Sequence, residues 1–242
     1  MQQTVLVKIP LQQFLNWLRF NWEQGEHMLV CGSTGDGKTR LTSQLLECRD
    51  YVVVIALKQR DDTLKVFTDD ILPTMKERYK LYKTWPPMYS HNRVVLWLRP
   101  IDIKDIPKQS AEFKGVLQRI YLSGGWTVDL DDANYASGFL KAAMEMGVLL
   151  NQGRSSGLSI LCSIQQPKSL VGRLPSEALR QPRHKIFFDI SDNDDDLQGA
   201  STITGINRNE LAYLMRQLGR WDVLYIGKKD NTGKRIIFHV VQ

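Results

Sequence analysis

The sequence predicts an α/β protein built on a mainly parallel β-sheet, with helices on both faces and an antiparallel hairpin near its C-terminal end. Three observations lead there. Short apolar runs rich in β-branched residues recur along the chain, among them "YVVVIAL" (51–57) and "LSILCSI" (158–164). Segments with helical spacing separate most of them, and such alternation favours parallel strands joined by helices that pack on the two faces. Finally, "WDVLYIG" (221–227) and "RIIFHVV" (235–241) flank "KKDNTGK", where Asn231, Thr232 and Gly233 suit a hairpin turn.

Each element follows from its own pattern. "TVLVKI" (4–9) is a short strand, and "LQQFLNWLRFNWEQG" carries Leu11, Phe14, Leu15 and Leu18 on one helical face before Gly25 ends the run. The apolar "HMLV" leads into a glycine-rich loop, after which "KTRLTSQLLECR" (38–49) is helical. "RVVLWL" (93–98), "GWTVDL" (125–130) and "HKIFFDI" (184–190) are further strands. "AEFKGVLQRIYLS" (111–123) and "GFLKAAMEMGVLLNQ" (138–152) are helices between them. The stretch at about 59–94 is less regular: a helix-like "TDDILPTMKERYKLYK" is broken by Pro73, and "TWPPMYSHN" is rich in turn residues. It reads as an insertion into a single domain spanning 1–242.

With 242 residues, 43% of them hydrophobic, the chain can bury a core of that size. No stretch approaches the roughly 18 consecutive apolar residues of a membrane span. "MQQTVLVKIPLQQ" lacks the basic start and apolar run of an export signal. A soluble, cytoplasmic chain is expected. Cys31, Cys48 and Cys162 are far apart with no metal-ligand spacing, so reduced thiols are expected. A net charge of +6 favours an anionic partner without identifying one.

The loop is the most informative segment. Gly32, Ser33, Thr34, Gly35, Asp36, Gly37, Lys38 and Thr39 satisfy G-x-x-x-x-G-K-[ST] between a strand and a helix. Glycines let the backbone curl so that N–H groups point at phosphate oxygens, and the following helix adds the positive end of its dipole. Lys38 then reaches the β- and γ-phosphates of ATP, and the Thr39 hydroxyl ligates Mg²⁺.

Hydrolysis needs carboxylates beside that loop, and "GWTVDLDDANY" supplies them. Asp131 suits the magnesium side, and Asp132 suits the group that orients and deprotonates the attacking water. A frame shifted by two residues would put Asp129 on the metal instead. Asp132 is also one methylene shorter than the glutamate usual there, and "DDAN" also fits an acidic helix cap, but coupled to the phosphate loop the catalytic reading prevails. At the end of "LSILCSIQQP", Gln165 can sense the γ-phosphate if its strand lies beside the other two, because an amide both donates and accepts hydrogen bonds.

With loop, acid pair and glutamine in this order, the chain resembles the FtsK/HerA family of DNA-pumping ATPases, above all the small viral and phage versions similar to packaging motors. The likeness runs through "WEQGEHMLVCGSTGDGKTRL", "VLWLRP", "GGWTVDLDDANY", "NQGRSSGLSILCSIQQP" and "LGRWDVLYIG". It implies a RecA-like (ASCE) P-loop core and a homo-oligomeric ring, expected to be a hexamer, that hydrolyses ATP at subunit interfaces. Within the family pattern Gln165 takes the sensing position, but Gln166 stands where members often carry Arg. Arg154 in "GRSSG" matches the position that donates positive charge across the interface, with Arg173, Arg180 and Arg183 as competitors. Lys58 matches a lysine often found beside the site.

The implied substrate is double-stranded DNA gripped without sequence specificity through its phosphates. "QQPKSLVGRLPSEALRQPRHK" and "KERYKLYK" are the candidate basic loops. The expected role is packaging a viral genome, with capsid or portal vertex proteins as partners and a place in the host cytoplasm or at a virion vertex. The alternatives are a conjugation, segregation or repair pump, a nucleotide-dependent switch without translocation, and a small-molecule kinase.

Overall fold

The computed structural model describes residues 6–58, 65–68, 79–85, 91–98, 102–229 and 235–241. Ten strands form one sheet: β1 (Val7–Pro10), β2 (Met28–Cys31), β3 (Val52–Ala56), β4 (Lys80–Tyr82), β5 (Arg93–Trp97), β6 (Thr127–Leu130), β7 (Ser159–Ile164), β8 (His184–Phe187), β9 (Val223–Lys229) and β10 (Arg235–Val241). Their order across the sheet is β1-β10-β9-β8-β2-β7-β6-β3-β5-β4. The seven strands from β8 to β4 are mutually parallel. Strand β9 runs antiparallel to β8 and β10, and β1 extends the sheet parallel to β10. The mainly parallel sheet and the closing antiparallel pair are therefore both present, while the turn at 230–234 lies outside the described residues.

Ten helices accompany the strands among the described residues: α1 (Leu11–Asn21), α2 (Lys38–Leu46), α3 (Lys65–Thr68), α4 (Ile106–Ser123), α5 (Ala133–Gly138), α6 (Ala143–Gln152), α7 (Pro167–Val171), α8 (Ser176–Arg180), α9 (Asp194–Thr204) and α10 (Arg208–Met215). Strand alternation sorts side chains to two cores. Leu29, Cys31, Val53, Ile55, Val128 and Leu130 face the helices from α4 onward, with Phe113, Leu117 and Ile120 of α4 among their partners. Met28, Val30, Val52 and Val54 face the other way, toward Phe14 and Leu18 of α1 and Leu41 and Leu45 of α2. Every residue of β2, β3 and β7 is buried, which is why these strands are continuous apolar runs. Helix α9 starts where the Asn193 side chain accepts from the N–H groups of Asp195 and Asp196, with three aspartates in its first turn.

Two sequence expectations fail. The helix expected over 138–152 is divided between α5 and α6, and Lys141 between them has a positive φ of 51°. Leu140 and Ala142 are both buried, and residues two apart cannot share one helical face, so the chain turns between them. Residues 80–82, expected as the end of a helix, form the edge strand β4 because the open side of β5 offers partners from Val94 to Leu96. The rest of the irregular stretch, at 59–64, 69–78 and 86–90, lies outside the described residues.

Candidate nucleotide site at the carboxyl edge of the sheet

Strand β2 ends at Cys31, and the chain curls through residues 32–37 into α2. Gly35 and Gly37 hold φ of +94° and +90°, a region closed to most side chains, which gives the loop its curl. A Cβ on Gly32 would lie 2.8 Å from Phe188 Cδ2, so the loop starts wedged against the chain leaving β8. The Ser33 N–H donates to the Asp36 carboxylate, so this part of the loop already presents an N–H to an anion. Lys38 Nζ folds back over the loop and donates to the carbonyls of Gly32 (2.8 Å) and Ser33 (2.7 Å). Burial pushes the Lys38 ammonium below the usual lysine range, while Asp36 and Asp131 oppose that shift.

Two strands away, the acids follow from alternation in β6. Val128 and Leu130 face the α4 side, so Asp129 and Asp131 turn toward α2. Asp131 lies just past the strand, where its Oδ1 accepts from Thr39 Oγ1 at 3.2 Å and its Oδ2 pairs with Lys58 Nζ at 2.9 Å. Asp129 is only 1% exposed and neither of its oxygens has a hydrogen-bond partner among the described residues. Burial, then the neighbouring Asp131, pushes the Asp129 carboxyl well above the usual carboxylate range, which favours its neutral form. Asp132 accepts from the Tyr135 N–H at 2.9 Å and caps α5.

Strand β7 lies between β2 and β6. Its last residue, Ile164, accepts from the Gly32 N–H at 3.2 Å, so the exposed Gln165 emerges beside the phosphate loop. Lys38, Thr39, Asp131 and Gln165 thus lie at the carboxyl ends of three adjacent strands. Open parallel sheets bind ligands at this edge.

Arg154 is elsewhere. It sits in a 3-10 turn, Gly153–Ser156, before β7, hence at the opposite edge of the sheet from its own phosphate loop. Arg173 Nη1 donates to the Asn134 carbonyl at 2.8 Å, and Arg180 and Arg183 lie toward the amino end of β8. The stretch 165–185 is therefore not one basic loop. Lys168 pairs with Asp195, and Lys185 is buried.

Two residues that support the site escaped the sequence reading. Gln109, 3% exposed, donates to the carbonyls of Leu57 (2.8 Å) and Leu98 (2.5 Å) and accepts from Tyr135 Oη at 2.9 Å. It ties the ends of β3 and β5 to the helix that Asp132 caps. Its signal was a polar residue four positions before Phe113 on the apolar face of α4. Asn134 donates to the Gln166 carbonyl at 3.4 Å and to Ser169 Oγ, linking α5 to the chain after Gln165.

Thr39 and Asp131 fit a magnesium ion. Their two hard oxygens already approach each other, and Mg²⁺ needs few protein ligands because it keeps several waters. Among the described residues no cluster of three or more His, Cys, Asp or Glu offers an all-protein cage for a metal.

The fold is that of a P-loop NTPase: a mainly parallel sheet with helices on both faces, the glycine loop at its centre and an antiparallel pair to one side. Among solved structures, it is similar to the genome packaging NTPase B204 of Sulfolobus turreted icosahedral virus 2 in complex with AMP. That match has a TM-score of 0.55 at 15% identity, covering 87% of this chain and 96% of the other. The bacterial conjugative coupling protein TrwBdeltaN70 aligns with a TM-score of 0.60 at 11% identity, over 97% of this chain and 92% of that one. VirB4 of Thermoanaerobacter pseudethanolicus gives 0.59 at 12% identity, over 89% of each chain. At these identities the likeness is one of fold. No family model and no curated protein matches the sequence.

Proposed function

We propose that the chain is an ATP-hydrolysing motor that moves double-stranded DNA, working as a homo-oligomeric ring, and that its task is to package a viral genome. The observation that carries this reading is that Lys38, Thr39, Asp131 and Gln165 follow the carboxyl ends of three adjacent strands, with Thr39 Oγ1 and Asp131 Oδ1 3.2 Å apart.

The loop N–H groups and the N-terminus of α2 bind the phosphates, and the Lys38 ammonium exchanges its two carbonyl partners for β- and γ-phosphate oxygens. Thr39 and Asp131 would hold Mg²⁺, which when bound neutralises charge developing on the phosphates. Lys58 pairs with Asp131 and steadies it beside Thr39. Asp132 keeps one oxygen on the Tyr135 N–H and uses the other to take a proton from the attacking water. Water oxygen bonds to the γ-phosphorus as the bond to the β–γ bridging oxygen breaks, giving ADP and phosphate. Gln165 donates to or accepts from the γ-phosphate region, and its contact is lost when phosphate leaves. Asp129, neutral inside the sheet, takes no part. Arg154, at the far edge of its own subunit, serves only a neighbour's site.

ATP turnover measured with and without duplex DNA tests the motor, and particle images with an ATP analogue and duplex test the ring. Stimulation by duplex and a threaded channel are expected, and DNA-independent turnover from a monomer would refute both. A translocation assay with and without empty capsids separates packaging from a conjugation, segregation or repair pump. The capping bond from Tyr135 to Asp132 favours a second reading, a nucleotide-dependent switch, because it partly commits the short acid to structure. Nucleotide binding with no hydrolysis under any condition would support that reading.

A further inference from the structure

At the amino end of β8, on the side away from the phosphate loop, a cavity of about 520 Å³ opens between the end of α9 and strands β8, β9 and β10. Arg180, Arg183, Lys185, Lys228 and Arg235 line it. They come from three separate parts of the chain, so the sheet, not a local run of basic residues, brings them together. Two carboxylates answer them from one side. Glu26 accepts from Arg183 at 2.8 Å, and Lys228 lies 3.4 Å from Glu23 and 3.5 Å from Glu26. Among the described residues, five cations against Glu23 and Glu26 leave an excess of three positive charges.

Lys185 and Arg235 have only neutral partners among the described residues: Lys185 donates to the Pro182 carbonyl and Arg235 to the Thr204 carbonyl. Lys185 is 9% exposed, and burial, then the nearby Arg235, brings its ammonium down to about 8. A half-buried array of like charges is costly unless an anion completes it. Among the described residues the rest of the lining is Pro182, Thr202, Ile203, Thr204, Gly205 and Gly227, with no aromatic ring to stack on a base. A group recognised here is recognised by charge and not by a nucleobase.

We propose that this cavity is a second anion site that grips a backbone phosphate of the nucleic acid. It rests on the reading of DNA as the substrate. Strand β8 spans about 13 Å at the usual rise, so the site and the nucleotide crevice can be filled together.

The test is binding of a short fluorescent duplex by the full chain at low and moderate salt, comparing the wild type with Lys228→Gln/Arg235→Gln. Duplex affinity should fall about tenfold and the salt slope should shrink by about two, while ATP binding and DNA-independent turnover stay unchanged. Lys228→Arg should bind as the wild type does. Because Arg235 also holds the Thr204 carbonyl, Lys228→Gln alone is the variant to use if the double change lowers the melting temperature. Unchanged duplex affinity in the variants would overturn the site and leave the DNA reading intact. A wild type that binds no duplex would overturn both. Inorganic phosphate that raises the melting temperature of the wild type but not the variant, with duplex binding unaffected, would make this a free-phosphate site and overturn the backbone assignment.

Discussion

At the carboxyl edge of the sheet, Lys38, Thr39, Asp131 and Asp132 are only half-buried, with Thr39 and Asp131 joined by one hydrogen bond and Asp132 held by the Tyr135 N–H. At the amino edge, apart from the basic cavity beside β8, a second group of charges is sealed in. Arg49 is 8% exposed and donates from Nε to Thr127 Oγ1 (3.0 Å) and from Nη1 to the Trp22 carbonyl (2.6 Å). Arg93, 5% exposed, reaches Tyr79 Oη at 2.9 Å and the Arg49 carbonyl at 2.6 Å. Glu26 and His184 are joined at 2.9 Å beneath the surface, and His184 meets Tyr225 Oη at 2.7 Å. The phosphate-loop groups stay available for a ligand, while the sealed groups fix where the strands begin. Changes at the first set should therefore alter chemistry with little loss of stability, and changes at the second set should do the reverse.

The sharpest attempt to break that division is Lys38→Ala. Nucleotide binding or turnover should fall by roughly a hundredfold or more with the melting temperature nearly unchanged, as read by isothermal titration and phosphate release. Asp132→Asn should stop hydrolysis while leaving ATP binding intact, and normal turnover would move catalysis away from this acid. In mixed rings, Arg154→Ala subunits should partly restore turnover to Lys38→Ala subunits, since each supplies what the other lacks. No recovery would leave Arg154 without a role across the interface.

At the amino edge, Arg49→Ala should cost about 3 kcal/mol of stability by denaturant unfolding, because buried acceptors lose their donor, with turnover per folded molecule retained. Acid should act there too. Burial holds His27 at about 4, well under its usual 6.5. Burial raises Glu26, but hydrogen bonds from His184 and the Glu23 N–H outweigh it and hold the carboxyl at about 2. Both groups bind protons less readily when folded. Stability is complete above about pH 6.5, falls as His27 gains a proton toward pH 4, and falls again from 4.5 toward 2 as Glu26 does. Thermal melts across that range check the two steps. The smallest effect belongs to Asp129→Asn, which exchanges one neutral buried group for another. Turnover within about threefold of the wild type is expected, and a larger loss would return Asp129 to the metal frame.

The carboxyl edge was the more legible of the two. Its loop is eight consecutive residues with fixed spacing, and the acids and Gln165 each end an apolar run, so local pattern sufficed. Asp129 and Asp131 lie on one strand face, and the difference in depth between them is set by the fold and not by local pattern. Gln109 and Asn134 were missed because their partners, at Leu57, Leu98 and Gln166, lie far away in sequence. Lys228 and Arg235 were missed for the same reason, since only the pairing of β9 with β10 and β8 brings them to Lys185. Strand β4 and the break at Lys141 were set by neighbours that overrode local propensity.

The close fit of Gly32 against Phe188 has a mechanical consequence. Interiors packed this tightly transmit displacement and absorb little of it, so the loop cannot lean toward β8 without pushing an aromatic ring ahead of it. Strand β8 is hydrogen-bonded to β9, and β9 to β10, so a shove delivered there is felt across that whole flank of the sheet. Filling the gap with a single methyl, as Gly32→Ala would, should jam this linkage before it disturbs any chemical group.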